Sequence, residues 1–146
     1  MIQVRVNREE RLLVLRYAGT LAVEDWRITM SRALETYPEI VTFDSLVDVR
    51  SLETAPSAEE MRRHARDVKA LGFQSHRRRT AVIVASAIHF GLSRMFELMT
   101  ESERDVERMT TASLASAAEY LGRPEGLIQA ELEAVARTDG DVRALA

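Results

Sequence analysis

A chain of 146 residues, 46% hydrophobic and 29% charged, has the makeup of one globular domain that can bury about two-thirds of its unfolded surface unaided, which excludes wholesale disorder. A net charge of −3 marks neither a generally basic nor a generally acidic partner, and the absence of cysteine removes disulfides, thiolate chemistry and cysteine-ligated zinc. No segment approaches the roughly 20 apolar residues of a membrane span, and the opening MIQVRV alternates where a secretory signal would not, so a cytoplasmic location is expected.

Ile2 to Val6 alternates apolar and polar residues, NREE interrupts, and Leu12 to Tyr17 resumes with β-prone residues, which predicts two adjacent strands joined by a turn. After Gly19, the residues Trp26, Met30, Ala33, Leu34 and Tyr37 fall at helical spacing, with Glu24 and Asp25 in the first turn and Pro38 as the stop. Leu46, Val47 and Val49 predict a short third strand ending near Arg50. Ser57 and Glu60 form a capping-box pair for a second helix that presents Met61, Ala65 and Val68 and stops at Gly72.

Thr80 to Ala85 is the most continuous apolar run and predicts a central strand covered on both faces. From about Ile88 a third helix carries Leu92, Met95, Phe96 and Met99 on one stripe. DVERM predicts a weaker fifth strand, and Leu114, Ala118 and Leu121 a fourth helix ending at Gly122. Residues 123–146 form an acidic extension in which Ile128, Leu132 and Val135 predict a short helix to about Thr138, docked on its own domain or on a second copy in a homodimer. The order β-β-α-β-α-β-α-β-α implies an α/β domain over residues 1–122, with a five-stranded, mostly parallel sheet whose first hairpin is antiparallel.

Local motifs for chemistry are sparse. Arg62, Arg63, Arg66, Lys69, Arg77, Arg78 and Arg79 gather cations around one acid, Asp67. Without interleaved aromatics this reads as a solvated helix face and a hydrophilic loop, not a nucleic-acid grip, with an anionic ligand or an acidic protein as the functional alternative. His64, His76 and His89 lack metal-ligand spacing. His89 would stand in the first turn of the third helix, beyond the end of the central strand, where open α/β sheets place ligands. Gly91 allows close approach of a ligand or of a neighbouring strand. Ser57, Ser86 and Ser93 lie in no nucleophile elbow, so no catalytic residue and no cofactor is assigned.

The opening hairpin, SLVDVR before a loop and helix, TAVIVAS, and FGLSRMFELM followed by DVERMTT and a closing helix together resemble the SpoIIAA-like group, the fold of STAS domains, related in outline to Sec14 lipid-transfer domains. The resemblance covers roughly residues 1–122 and implies a small stand-alone regulatory domain. Its switch serine would be Ser57, but Pro56, Ser57, Ala58 and Glu59 stand where the family has Asp-Ser-Ser-Gly, and Ser57 is explained by capping.

Two functions follow. The first is a non-catalytic module that contacts a partner protein through Ser57, Arg62, Arg63 and Arg66. The alternative is a carrier of a small apolar or anionic molecule or lipid, with Trp26, Met30, Met95, Phe96 and Met99 lining a cavity and His89, Gly91 or Arg94 near the polar head.

Overall fold

A computed structural model describes residues 1–20, 23–73, 77–86, 91, 106–138 and 143–145. The expected third helix from Ile88, with His89 and Arg94, lies outside the described residues except for Gly91.

Strands β1 (Ile2–Asn7) and β2 (Leu12–Thr20) form the antiparallel hairpin, with Ile2 opposite Tyr17 and Asn7 opposite Leu12. Helix α1 (Val23–Thr36) and a 3-10 turn (Pro38–Thr42) lead to β3 (Asp44–Thr54), which pairs parallel with β2. Helix α2 (Ala58–Ala70) precedes β4 (Arg78–Ile83); β5 (Val106–Thr111) follows, then helices α3 (Leu114–Leu121) and α4 (Glu125–Ala136). The five strands form the expected mixed sheet in the order β5-β4-β3-β2-β1. A sixth strand, β6 (Arg143–Leu145), was not foreseen. It lies parallel to β1 on the outer edge.

Three expectations need correction. β3 runs four residues past Arg50 because its later half still finds β2 as a partner. β4 starts at Arg78, two residues before the apolar run, and is one strand in from β5, so Arg78 and Arg79 are strand and not loop, while Arg77 precedes it. In α2 it is His64, not Ala65, that is buried beside Met61 and Val68, one helical turn spacing apart.

Both crossovers, β2-α1-β3 and β3-α2-β4, extend the sheet in the same direction, so the right-handed rule places both helices on one face. There Trp26, Met30, Ala33 and Val68 pack on Val4, Leu13, Leu15 and Val47. The opposite face receives Ala117, Ala118 and Leu121 of α3 and Ile128, Leu132 and Val135 of α4, packed on Leu12, Val14, Leu46, Ala81 and Ile83. The apolar stripe of α4 is thus docked on its own sheet.

The polar half of the β1 alternation explains how α4 is held. Gln3, Arg5 and Asn7 face α4 instead of water. The Gln3 amide donates to the Ala136 and Thr138 carbonyls at 3.2 and 2.6 Å. Arg5 Nε donates to Glu131 Oε2 at 2.8 Å and Asn7 Nδ2 to Glu131 Oε1 at 2.9 Å. Glu131 is only 5% exposed, so both its oxygens depend on these donors.

Removing one member of a buried charged pair leaves the other uncompensated. Glu131→Ala should therefore lower unfolding free energy by about 3 kcal/mol, read from urea denaturation. A loss below about 1 kcal/mol would mean that α4 is held by its apolar face alone.

Candidate functional site

The strand period of two splits the three arginines. Arg77 precedes β4 and is exposed. Arg79 turns to the α3 side, where its Nη1 donates to the Tyr120 carbonyl at 3.0 Å and its Nε to Glu107 at 3.3 Å. Arg78 turns the other way, beneath α1 and α2, and is 8% exposed. Two residues on, Thr80 shares its face.

Sheet register sets Thr80 in a row. Leu13 of β2 lies beside Ser45 of β3, Ser45 beside Thr80, and Thr80 beside Arg108 of β5. The row is apolar at β2 and becomes polar toward β5. Above it, Trp26 and Met30 of α1 and His64 and Val68 of α2 form a roof. The last wall residue is Phe73, and the end of α2 places it. Gly72 adopts φ +86°, a left-handed conformation that glycine tolerates best. It lets the Gly72 N–H reach the Lys69 carbonyl at 3.0 Å and the Phe73 N–H reach the Val68 carbonyl at 3.2 Å, the double bond of a Schellman turn. Phe73 is thereby folded back beside Val68.

These walls enclose a cavity of about 60 Å³. Its aromatic side is ordered by edge-on contacts: His64 meets Trp26 at 4.6 Å between ring centroids and Tyr17 at 6.4 Å, and Trp26 meets Phe73 at 6.1 Å. The Arg78 guanidinium stands 5.2 Å over the Phe73 ring, a cation–π contact. Arg78 Nη1 donates to the Phe43 carbonyl at 3.4 Å, and Nε has no partner. The hydroxyls of Ser45 and Thr80 are buried without partners as well. The Trp26 indole N–H leans toward the Tyr17 hydroxyl without closing a hydrogen bond of normal geometry.

Charge in this cavity has one sign. Burial, then the neighbouring Arg108, push the Arg78 pKa down to about 10, against the pull of Asp44 and Tyr17, so it is still a cation at neutral pH. Burial, again helped by Arg108, pushes His64 down to about 4, so its ring is neutral. Burial raises the Tyr17 pKa, so the phenol keeps its proton. Two guanidinium groups and no carboxylate stand among the described lining residues. Such a set can bind an acceptor or an anion. No group of three or more His, Asp or Glu able to hold a metal occurs among the described residues.

A second groove, of about 400 Å³, lies on the α4 side between Arg16, Asp48, Arg50, Ser51 and Gln129. Its charged groups have partners within the fold, and Gln129 donates to Glu133 at 3.1 Å. Asp48 accepts from Arg50 Nε at 2.9 Å, Arg50 Nη2 at 3.0 Å and the Arg50 backbone N–H at 3.0 Å, and Arg16 donates to Ser51 at 3.0 Å.

The residues singled out in the sequence fall in different places. Ser57 caps α2: its Oγ accepts from the Glu60 N–H at 3.1 Å and lies 3.1 Å from Glu60 Oε1. A phosphoryl group there would face that carboxylate. Arg62, Arg63 and Arg66 are exposed on the outer side of α2 and do not line the cavity. Gly91 is helical and exposed, and an added Cβ would lie in open space, so no neighbouring strand presses on it. Trp26 and Met30 line this cavity, while Met95, Phe96 and Met99, named with them for a carrier, lie outside the described residues. Ser45, His64, Thr80 and Arg108 were not singled out for such a site, and Arg78 was named only as one of a cationic cluster, without the face it occupies. The available signal was the period of two: extended back from Val82 and Thr80, it puts Arg78 on the same face as Thr80.

No family model matches the chain, and no curated protein matches it.

A histidine whose folded pKa lies at about 4, below its usual 6.5, leaves stability intact above pH 6.5. Stability then falls as the pH drops from 6.5 toward 4, because the unfolded chain takes the proton more readily. The full drop is about 3 kcal/mol. Urea midpoints measured across this window should fall more steeply for the natural protein than for His64→Leu; parallel curves would place the acid sensitivity elsewhere.

Proposed function

We propose that the chain is a non-catalytic binding module of the STAS-like type whose working site is the cavity beneath α1 and α2, where it holds a small molecule. The observation that carries this reading is the trio of buried atoms without partners, Ser45 Oγ, Thr80 Oγ1 and Arg78 Nε, around one cavity. Each such atom costs about 1–3 kcal/mol when buried unmatched. A ligand that supplies acceptors returns that cost as affinity.

Size narrows the cargo. A cavity near 60 Å³ has room for about four to six waters at 10–15 Å³ each, far short of the roughly 300–1,000 Å³ of a site that encloses a drug-sized ligand. The described walls suit a head group or a very small molecule better than a lipid chain. Native mass spectrometry of protein purified in low salt should show a one-to-one adduct of low mass that collisional activation removes. Only bare protein, together with no stabilisation by any member of a small-molecule panel, would overturn the reading.

A second reading rests on the outer face of α2, where Arg62, Arg63 and Arg66 are exposed side by side beyond the Ser57 cap. They suit an acidic patch on a partner protein. Reversing all three to glutamate should abolish capture of a partner that the natural protein retains; persistent capture would remove this surface from consideration.

A further inference from the structure

We infer that the cavity is a site for a short-chain monocarboxylate, with its carboxylate on Arg78, Ser45 and Thr80 and its aliphatic part against Met30, Val68 and Phe73. This rests on the reading of the cavity as a small-molecule site and adds the class of ligand.

Charge comes first. Arg78 is more than nine-tenths buried and its Nε is unpartnered, yet no acid among the described lining residues neutralises it. A guanidinium in this setting is completed by a carboxylate, whose planar pair of oxygens matches its fork of donors. Ser45 and Thr80 are register partners on adjacent parallel strands, so their backbones stand about one strand spacing apart, roughly 4.8 Å. Both residues line the cavity, and the hydroxyl of each is buried without a partner.

The surroundings favour a single negative charge. Inorganic phosphate or a phosphate ester is usually cradled by backbone N–H groups at a helix N-terminus. Here α2 contributes His64 from its middle, Val68 in its last turn and, just beyond it, Phe73, so the end of α2 at the cavity is the carboxyl end, where the helix dipole is negative. A doubly charged oxyanion would be opposed by that end more strongly than a single charge. Phe73 is one of several apolar walls, with Leu13, Leu15, Met30 and Val68. A body of a few methylenes fills them, and the volume stops at a few heavy atoms.

Thermal unfolding and isothermal titration, at ionic strength held constant with chloride, would compare acetate, propionate and butyrate with inorganic phosphate and with neutral propionamide. Propionate or butyrate should raise the melting temperature and bind one to one, with phosphate and propionamide at least tenfold weaker. Arg78→Met should abolish carboxylate binding, and it should fold, because a buried charge replaced by an apolar residue of similar volume is often neutral or stabilising. Thr80→Val supplies an independent arm: it should raise the stability of the free protein and weaken propionate roughly tenfold. Arg62→Glu should leave binding unchanged.

Propionamide binding as tightly as propionate would overturn the anion assignment while leaving the cavity as a ligand site. Phosphate binding more tightly than any carboxylate would overturn the carboxylate class. Carboxylate binding that survives both Arg78→Met and Thr80→Val would place the site elsewhere. Silence from the whole panel, with a bare native mass, would remove the cavity reading itself.

Discussion

The α1–α2 half of the molecule is organised around a cation that the strand period of two forces beneath two helices. Arg78 is 8% exposed, and no carboxylate among the described residues lining the cavity meets it there. What it has is a carbonyl at Phe43 and the face of Phe73. Phe73 is itself there because Gly72 turns the chain back at the end of α2. Burial keeps the neighbouring groups uncharged, with Arg108 adding to the effect on His64 and Arg78 opposing it at Tyr17. His64 stays neutral, Tyr17 keeps its proton, and the hydroxyls of Ser45 and Thr80 take no acid partner.

The other face of the same sheet follows the opposite rule. Glu131 meets Arg5 and Asn7, and Asp48 meets Arg50. Arg123, delivered by the turn after α3, donates to Asp44 at 2.9 Å and to the Glu10 carbonyl at 2.6 Å, which ties the α3–α4 corner to the first hairpin and to the start of β3. Buried polar groups there are spent on internal closure. Among the described residues, one face of the sheet thus carries paired buried polar groups, and the other leaves a buried guanidinium nitrogen unpaired beside a cavity, which costs free energy.

Periodicity made most of the fold readable. The helical spacing of Trp26, Met30 and Ala33, the Ser57–Glu60 cap, the antiparallel hairpin and the stripe of Ile128, Leu132 and Val135 all appear where the pattern put them. The site was less legible because no single residue in it is unusual. A serine near the start of a strand, a threonine in another and one arginine of three become a constellation only through the register that sets Ser45 beside Thr80. The polar residues of β1 left a related point open: alternation reports two faces, and cannot say that the polar one is roofed by α4. The extent of β3 depended on partners in β2 that local propensity does not contain.

β6 is three residues long, yet it occupies the hydrogen-bonding edge of β1 opposite Arg5, Val6 and Asn7. An open edge of alternating valines would offer a template on which another chain could add a strand. The tail therefore acts as a covalently attached stopper, present at an effective concentration that no free chain can match. By pairing with Arg5, Val6 and Asn7, this short strand takes up the stretch of the β1 edge on which another chain could otherwise add.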